Sequence, residues 1–162
     1  MSPVTQMHAQ GTFRDSRLGI NVVKSPDLVT PLLPALLAYQ LSLTAPKAAP
    51  GSFDAPAADR GKTLFTGPAR CASCHTGTLY TDVNAGKLHT PSEVGQNAAH
   101  AERSVTKLYR TTPLRGLARH APYFHDGSAA TLADVVAHYD QLFSLHLTAA
   151  QKTDLVEYLK TL

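Results

Sequence analysis

Apolar positions keep a helical rhythm at three places along the chain. Leu32, Leu33, Leu36, Leu37, Leu41 and Leu43 recur at the spacing of one helix face, with Thr30 as a cap and Pro31 and Pro34 close to the start, so a helix is predicted over 31–43. Leu132, Val135, Val136, Tyr139 and Leu142 predict a second, over 131–143. Thr148 stands before a third, 149–161, whose apolar positions are Leu155, Val156, Leu159 and Leu162. Shorter helices are predicted for Ala57 to Phe65 and for Arg103 to Tyr109. No segment carries a convincing strand pattern and no internal repeat is visible. The fold class expected is therefore all-α.

The polar stretches divide the chain. Residues 1–28 are polar and read as irregular. Ala45 to Pro56 contains Pro46, Pro50, Gly51 and Pro56 and reads as a linker. A boundary near residue 52 separates an N-terminal extension with one helix, 1–51, from a domain over 52–162. Inside that domain, residues 76–100 carry Gly77, Gly86, Pro91 and Gly95, and Thr111 to Gly127 is broken by Pro113, Gly116 and Pro122, so loops make up much of it.

Composition narrows the function classes. Of 162 residues, 43% are hydrophobic and 17% charged, which supports a packed core rather than disorder. The longest apolar patch, Leu32 to Leu43, is interrupted by Pro34, Tyr39, Gln40 and Ser42, too short for a membrane span. A net charge of +3 is too small and too scattered for a nucleic-acid binder. Met1 to Gln10 has neither a basic n-region nor an apolar h-region, so no export signal is read in this chain.

The chemistry lies in the two cysteines. Cys71-Ala72-Ser73-Cys74-His75 has the spacing of c-type haem attachment. Two thiols separated by two residues can each add to one haem vinyl group, and the following imidazole then supplies the proximal ligand. A disulfide or redox dithiol is the alternative, but redox pairs of this spacing belong to βαβ patterns, and no strands are predicted. A structural zinc site would need four ligands, and no second cysteine pair exists.

Arg60 to Phe65 and Asp154 to Leu159 resemble the crossing terminal helices of cytochrome c domains, with Gly61 at the close approach and Phe65 and Tyr158 near it. The resemblance extends further. Arg110-Thr111-Thr112-Pro113-Leu114-Arg115-Gly116-Leu117, then Ala121-Pro122-Tyr123-Phe124-His125-Asp126-Gly127-Ser128, then Thr131 to Tyr139, look like the C-terminal haem domain of bacterial di-haem cytochrome c peroxidases and the MauG group. The match covers residues 57–162. Leu32–Pro46 resembles the closing helix of the family's preceding haem domain, whose own Cys-x-x-Cys-His is not found here.

The resemblance implies a helical cytochrome c-type domain with one covalent haem c. Its function would be electron transfer; the alternative is a peroxidase-like or MauG-like enzyme acting on hydrogen peroxide. In the enzyme reading, His125 or Glu93 would serve as the acid/base group. Arg115, in the basic run from Arg103 to Arg119, is expected at a haem propionate or else as a solvated charge. His125 is expected beside the haem pocket. His8, His89, His100, His120 and His146 are read as surface or loop residues. Relatives hold calcium partly through carbonyls at positions matching His120 and Pro122, but this chain has no acidic cluster to supply the six to eight oxygens needed. For the sixth iron ligand, Met1 and Met7 lie before the domain. The peroxidases place a ligand Met fourteen positions after the histidine that matches His125, and that position here is Tyr139. The MauG group has a ligand tyrosine there. His125, His138 and an open or water-bound position are the alternatives. Partners implied are a redox protein or a second haem domain, and the compartment implied is the periplasm.

Overall fold

The computed structural model describes residues 12–17, 19–23 and 30–162, which leaves His8, Met1 and Met7 outside the described residues. The chain forms two compact units, 1–44 and 45–162.

In the first unit, β1 (Thr12–Asp15) pairs antiparallel with β2 (Ile20–Val23), Thr12 opposite Val23 and Asp15 opposite Ile20. This hairpin corrects the expectation of an irregular, strandless segment. Ile20, Val22 and Val23 are β-branched and favour extended backbone, and Gly19 takes the left-handed conformation between the strands (φ 64°). A 3-10 turn over Thr30–Leu32 leads into α1 (Leu33–Ser42). The cap of α1 is Leu32 rather than Thr30, and no side chain bonds it. No residue of α1 is buried, and Leu36, Leu37 and Leu41 are exposed.

The second unit is helical. It contains α2 (Ala55–Thr66), α3 (Ala98–Ala101), α4 (Leu132–Leu142) and α5 (Ala149–Leu159), with 3-10 turns at Cys71–Ser73, Val83–Ala85 and Leu117–Arg119. Asp54 caps α2 by accepting from the Ala57 amide at 2.8 Å. Thr131 and Thr148 close capping boxes with Asp134 and Gln151 at the starts of α4 and α5. These caps explain why both helices begin where the sequence places them.

Helix α2 crosses α5 at Gly61. A Cβ there would overlap the Asp154 carbonyl and lie 2.8 Å from Tyr158 Cβ, so only glycine lets the backbones approach this closely. Arg60 fixes the angle of the crossing through a two-point bond to Asp154, Nε–Oδ2 at 2.9 Å and Nη2–Oδ1 at 2.7 Å. Beside the crossing, Phe65 is 2% exposed and packs edge-on against Tyr158 and Tyr80, with ring centroids 5.2 and 6.1 Å away.

The helix expected over Arg103 to Tyr109 does not form; the short helix here is α3, ending at Ala101. Ser104 explains the stop. Its hydroxyl donates to the Ala101 carbonyl and accepts from the Lys107 amide, which offers the backbone a turn in place of a helix. Tyr109 instead joins His89 in an antiparallel bridge, each amide donating to the other's carbonyl at 2.8 Å.

Candidate haem-binding site

Arg70 adopts a left-handed conformation (φ 58°), which turns the chain out of α2's exit loop and into the 3-10 turn carrying Cys71. The His75 amide then donates to the Cys71 carbonyl at 3.0 Å, drawing the five-residue motif into one compact turn. Both cysteines are free and half-buried. Burial pushes the Cys71 thiol up to about 11.

The His75 imidazole is fixed from behind. Its Nδ1 lies 2.9 Å from the Tyr80 carbonyl, an acceptor, so Nδ1 carries the proton and Nε2 keeps its lone pair. Burial holds the ring's pKa below the usual histidine value and so favours the neutral, ligating form. Tyr80 is held in turn: its ring packs on Phe65, and its hydroxyl is 3.4 Å from that of Tyr158. The helix crossing thus orients the imidazole through Phe65, Tyr158 and Tyr80.

Cys71, Cys74 and His75 stand on the wall of a cavity of about 390 Å³. Its apolar lining includes Leu114, Leu132, Val136, Leu155 and Leu159. Tyr139 lines it as well, with no hydrogen bond to its hydroxyl among the described residues, and desolvation pushes that phenol up to about 12. Phe124 meets the Tyr139 ring edge-on at 6.0 Å and Phe143 stacks on it at 5.8 Å, so packing alone sets the ring's orientation.

The other candidates differ in placement. His125 lines the cavity, and its Nε2 is 3.2 Å from the Tyr109 hydroxyl. That hydroxyl donates to the Asn97 carbonyl at 2.6 Å, so it accepts the His125 Nε2 proton and leaves Nδ1 with the lone pair. His138 points Nε2 at the Val94 carbonyl, 3.0 Å away, in a space kept open by Gly95. Arg115 is exposed and its Nε donates to the Thr78 carbonyl at 2.8 Å. The arginines on the cavity wall are Arg70 and Arg110. Arg70 also lies over the Phe143 ring, 5.8 Å from its centroid. Glu93 faces His89 rather than this cavity. His120 and Pro122 also line the cavity. His89, expected as a surface or loop residue, is buried at 7% exposure between Asp82 and Glu93.

Sequence spacing had no means of finding Arg70, Tyr109 or the Asp82–His89–Glu93 group, because loops bring them together. The donor set fits a covalently attached haem. It has two thiols at vinyl spacing, a neutral imidazole with a free Nε2, an apolar enclosure, an unpartnered phenol and two cations for propionates. No helix among the described residues is long and apolar enough to cross a membrane.

Residues 58–162 match the cytochrome c family. The methylamine utilization protein MauG of Methylorubrum extorquens is 32% identical over 121 residues, covering 65% of this chain and 34% of the relative. The cytochrome-c peroxidase IdrP2 of Pseudomonas sp. (strain SCT) is 33% identical over 146 residues, covering 65% of this chain and 39% of the relative. The chain thus spans between a third and two fifths of the length of these curated relatives. Among solved structures, a MauG-like protein associated with microbial copper homeostasis shares the fold, with a TM-score of 0.63 and 23% identity over 89% of this chain and 62% of that one. The hydrazine synthase of Kuenenia stuttgartiensis gives a TM-score of 0.58 and 25% identity over 88% of this chain and 57% of that one. With its helical domain, its Cys-x-x-Cys-His turn and these similarities, the chain belongs to the cytochrome c family and is homologous to MauG and the cytochrome-c peroxidases.

Proposed function

We propose that residues 52–162 form an exported, mono-haem electron-transfer domain, with the haem linked through Cys71 and Cys74, His75 as proximal ligand and Tyr139 as the sixth. The observation that carries this reading is the His75–Tyr80 bond of 2.9 Å, which leaves Nε2 free at the wall of an apolar cavity flanked by both thiols. A haem bound there supplies a one-electron couple. His75 would hold the metal side of the couple, and the leucines and Tyr139 would keep water out. Arg70 and Arg110 would pair with the propionates, while Arg115, tied to Thr78, would support the loop after the motif. Tyr139 is the first choice for the sixth position because its phenol stands on the cavity wall with no hydrogen-bond partner among the described residues, whereas His138 is turned to Val94 and His125 is tethered to Tyr109. A periplasmic setting and a redox protein or second haem domain as partner complete the proposal, in keeping with the chain's similarity to MauG and the cytochrome-c peroxidases.

A second reading has one specific observation in its favour. His125, with its Nδ1 lone pair and a neighbouring Tyr109, lines the cavity where hydrogen peroxide would enter, and the relatives include peroxidases. Optical and EPR spectra of the ferric protein separate the two readings. Six-coordinate low-spin haem, unchanged by added peroxide, supports electron transfer. A high-spin ferric signal with a rapid spectral response to peroxide supports the enzyme.

A further inference from the structure

Asp82, His89 and Glu93 form a chain of groups that the haem site does not use. His89 Nδ1 is 2.9 Å from Glu93 Oε1, and Nε2 is 3.1 Å from Asp82 Oδ2. Asp82 is 3% exposed, whereas the Glu93 side chain is 53% exposed. Both face a second, outward-opening cavity of about 590 Å³, also lined by Cys74 and Lys87. His89 lines both this cavity and the haem cavity. Ligand atoms of Cys74, Asp82 and His89 lie within 4.8 Å of one another, so the imidazole is adjacent to a haem-attachment residue. Its backbone is pinned by the bridge to Tyr109.

We propose that the Asp82–His89–Glu93 group takes up a proton from solvent when the haem is reduced, so that electron transfer by this domain is proton-coupled. The inference rests on the haem reading above. On reduction, an external one-electron donor gives one electron and ferric iron becomes ferrous, so the site loses one unit of positive charge. A proton from water, entering through exposed Glu93, converts neutral His89 to imidazolium and restores that charge. A cation on His89 is accommodated by two carboxylates in a low-dielectric wall, where a nearby unit of charge is felt strongly. The groups facing His89 are Asp82, Glu93 and Cys74, with Lys87 on the shared cavity, Tyr109 across the bridge and His75 within electrostatic range. The hydrogen bond to Glu93, and then that to Asp82, raises the proton affinity of His89 above the ordinary histidine value against the opposing effect of burial.

The test is a spectroelectrochemical titration of the haem-loaded chain from about pH 5 to pH 9. The wild-type potential should fall with rising pH across a window bounded by two bends. The maximum slope is a tenfold change in the reduction equilibrium per pH unit, or about 59 mV for one electron. His89→Gln should flatten the curve in that window. Glu93→Gln, at an exposed side chain that folding tolerates, should move both bends to lower pH. A flat wild-type curve overturns the proposal. So does a slope that survives in His89→Gln, which would assign the proton to a propionate, or bends that stay in place in Glu93→Gln. A chain that yields no covalent haem fails the haem reading itself, whereas a haem-loaded chain with a pH-independent potential fails only the proton coupling.

Discussion

Tyr139 is the residue whose role the surroundings constrain most. Its ring is held by Phe124 and Phe143, its hydroxyl lacks a hydrogen bond, and it lines the cavity that holds the motif thiols. A phenol pushed up to about 12 stays neutral at physiological pH unless a cation compensates its charge. A ferric ion is such a cation, and an anionic oxygen ligand stabilises the ferric state. Tyr139→Phe is therefore expected to change the ferric optical and EPR spectra and to raise the reduction potential, both measured on the haem-loaded variant. Unchanged spectra and potential would remove the tyrosine and turn attention to His125. The sequence made Cys71, Cys74, His75 and Tyr139 readable because short spacings and a helix stripe carry them. It could not reveal that His138 turns to Val94, or that Arg70 and Arg110 rather than Arg115 line the cavity. Those directions depend on Gly95, on the Thr78 carbonyl and on the left-handed turn at Arg70.

Helices α4 and α5 are legible from their apolar stripes, joined for α5 by Thr148 as a cap, and the capping boxes at Thr131 and Thr148 fix their starts. The β1–β2 hairpin was not, since four-residue strands give too short an alternation to register against a polar background. The Arg103–Tyr109 segment misled in the other direction, because Ser104 satisfies the turn that replaces a helix. The crossing of α2 and α5 is the element contact on which the site depends, since Phe65 and Tyr158 carry its geometry to Tyr80 and His75. Gly61→Ala gains helix propensity of roughly 1 kcal/mol, but it must push α5 away, and overpacking at a closed contact costs about 1–3 kcal/mol. A net loss of up to about 2 kcal/mol is expected in chemical denaturation of the haem-loaded protein. A loss of haem spectral intensity should accompany it. A variant as stable as the parent would show that the crossing has slack.

At the scale of the whole molecule, the described residues that line the motif's cavity fall between Phe65 and Leu159, inside the unit over 45–162. Deleting residues 1–28 should therefore leave the haem spectrum and haem loading unchanged. Loss of loading in that truncation would make the N-terminal segment part of the haem fold. The central claim is that this chain carries one haem, joined covalently through Cys71 and Cys74. Intact mass spectrometry after acid–acetone extraction, on protein made with a haem c maturation system, tests it most directly. The expected result is a chain heavier by one haem, which stays with the protein. A chain of unmodified mass, with the haem recovered in the organic phase, would contradict it.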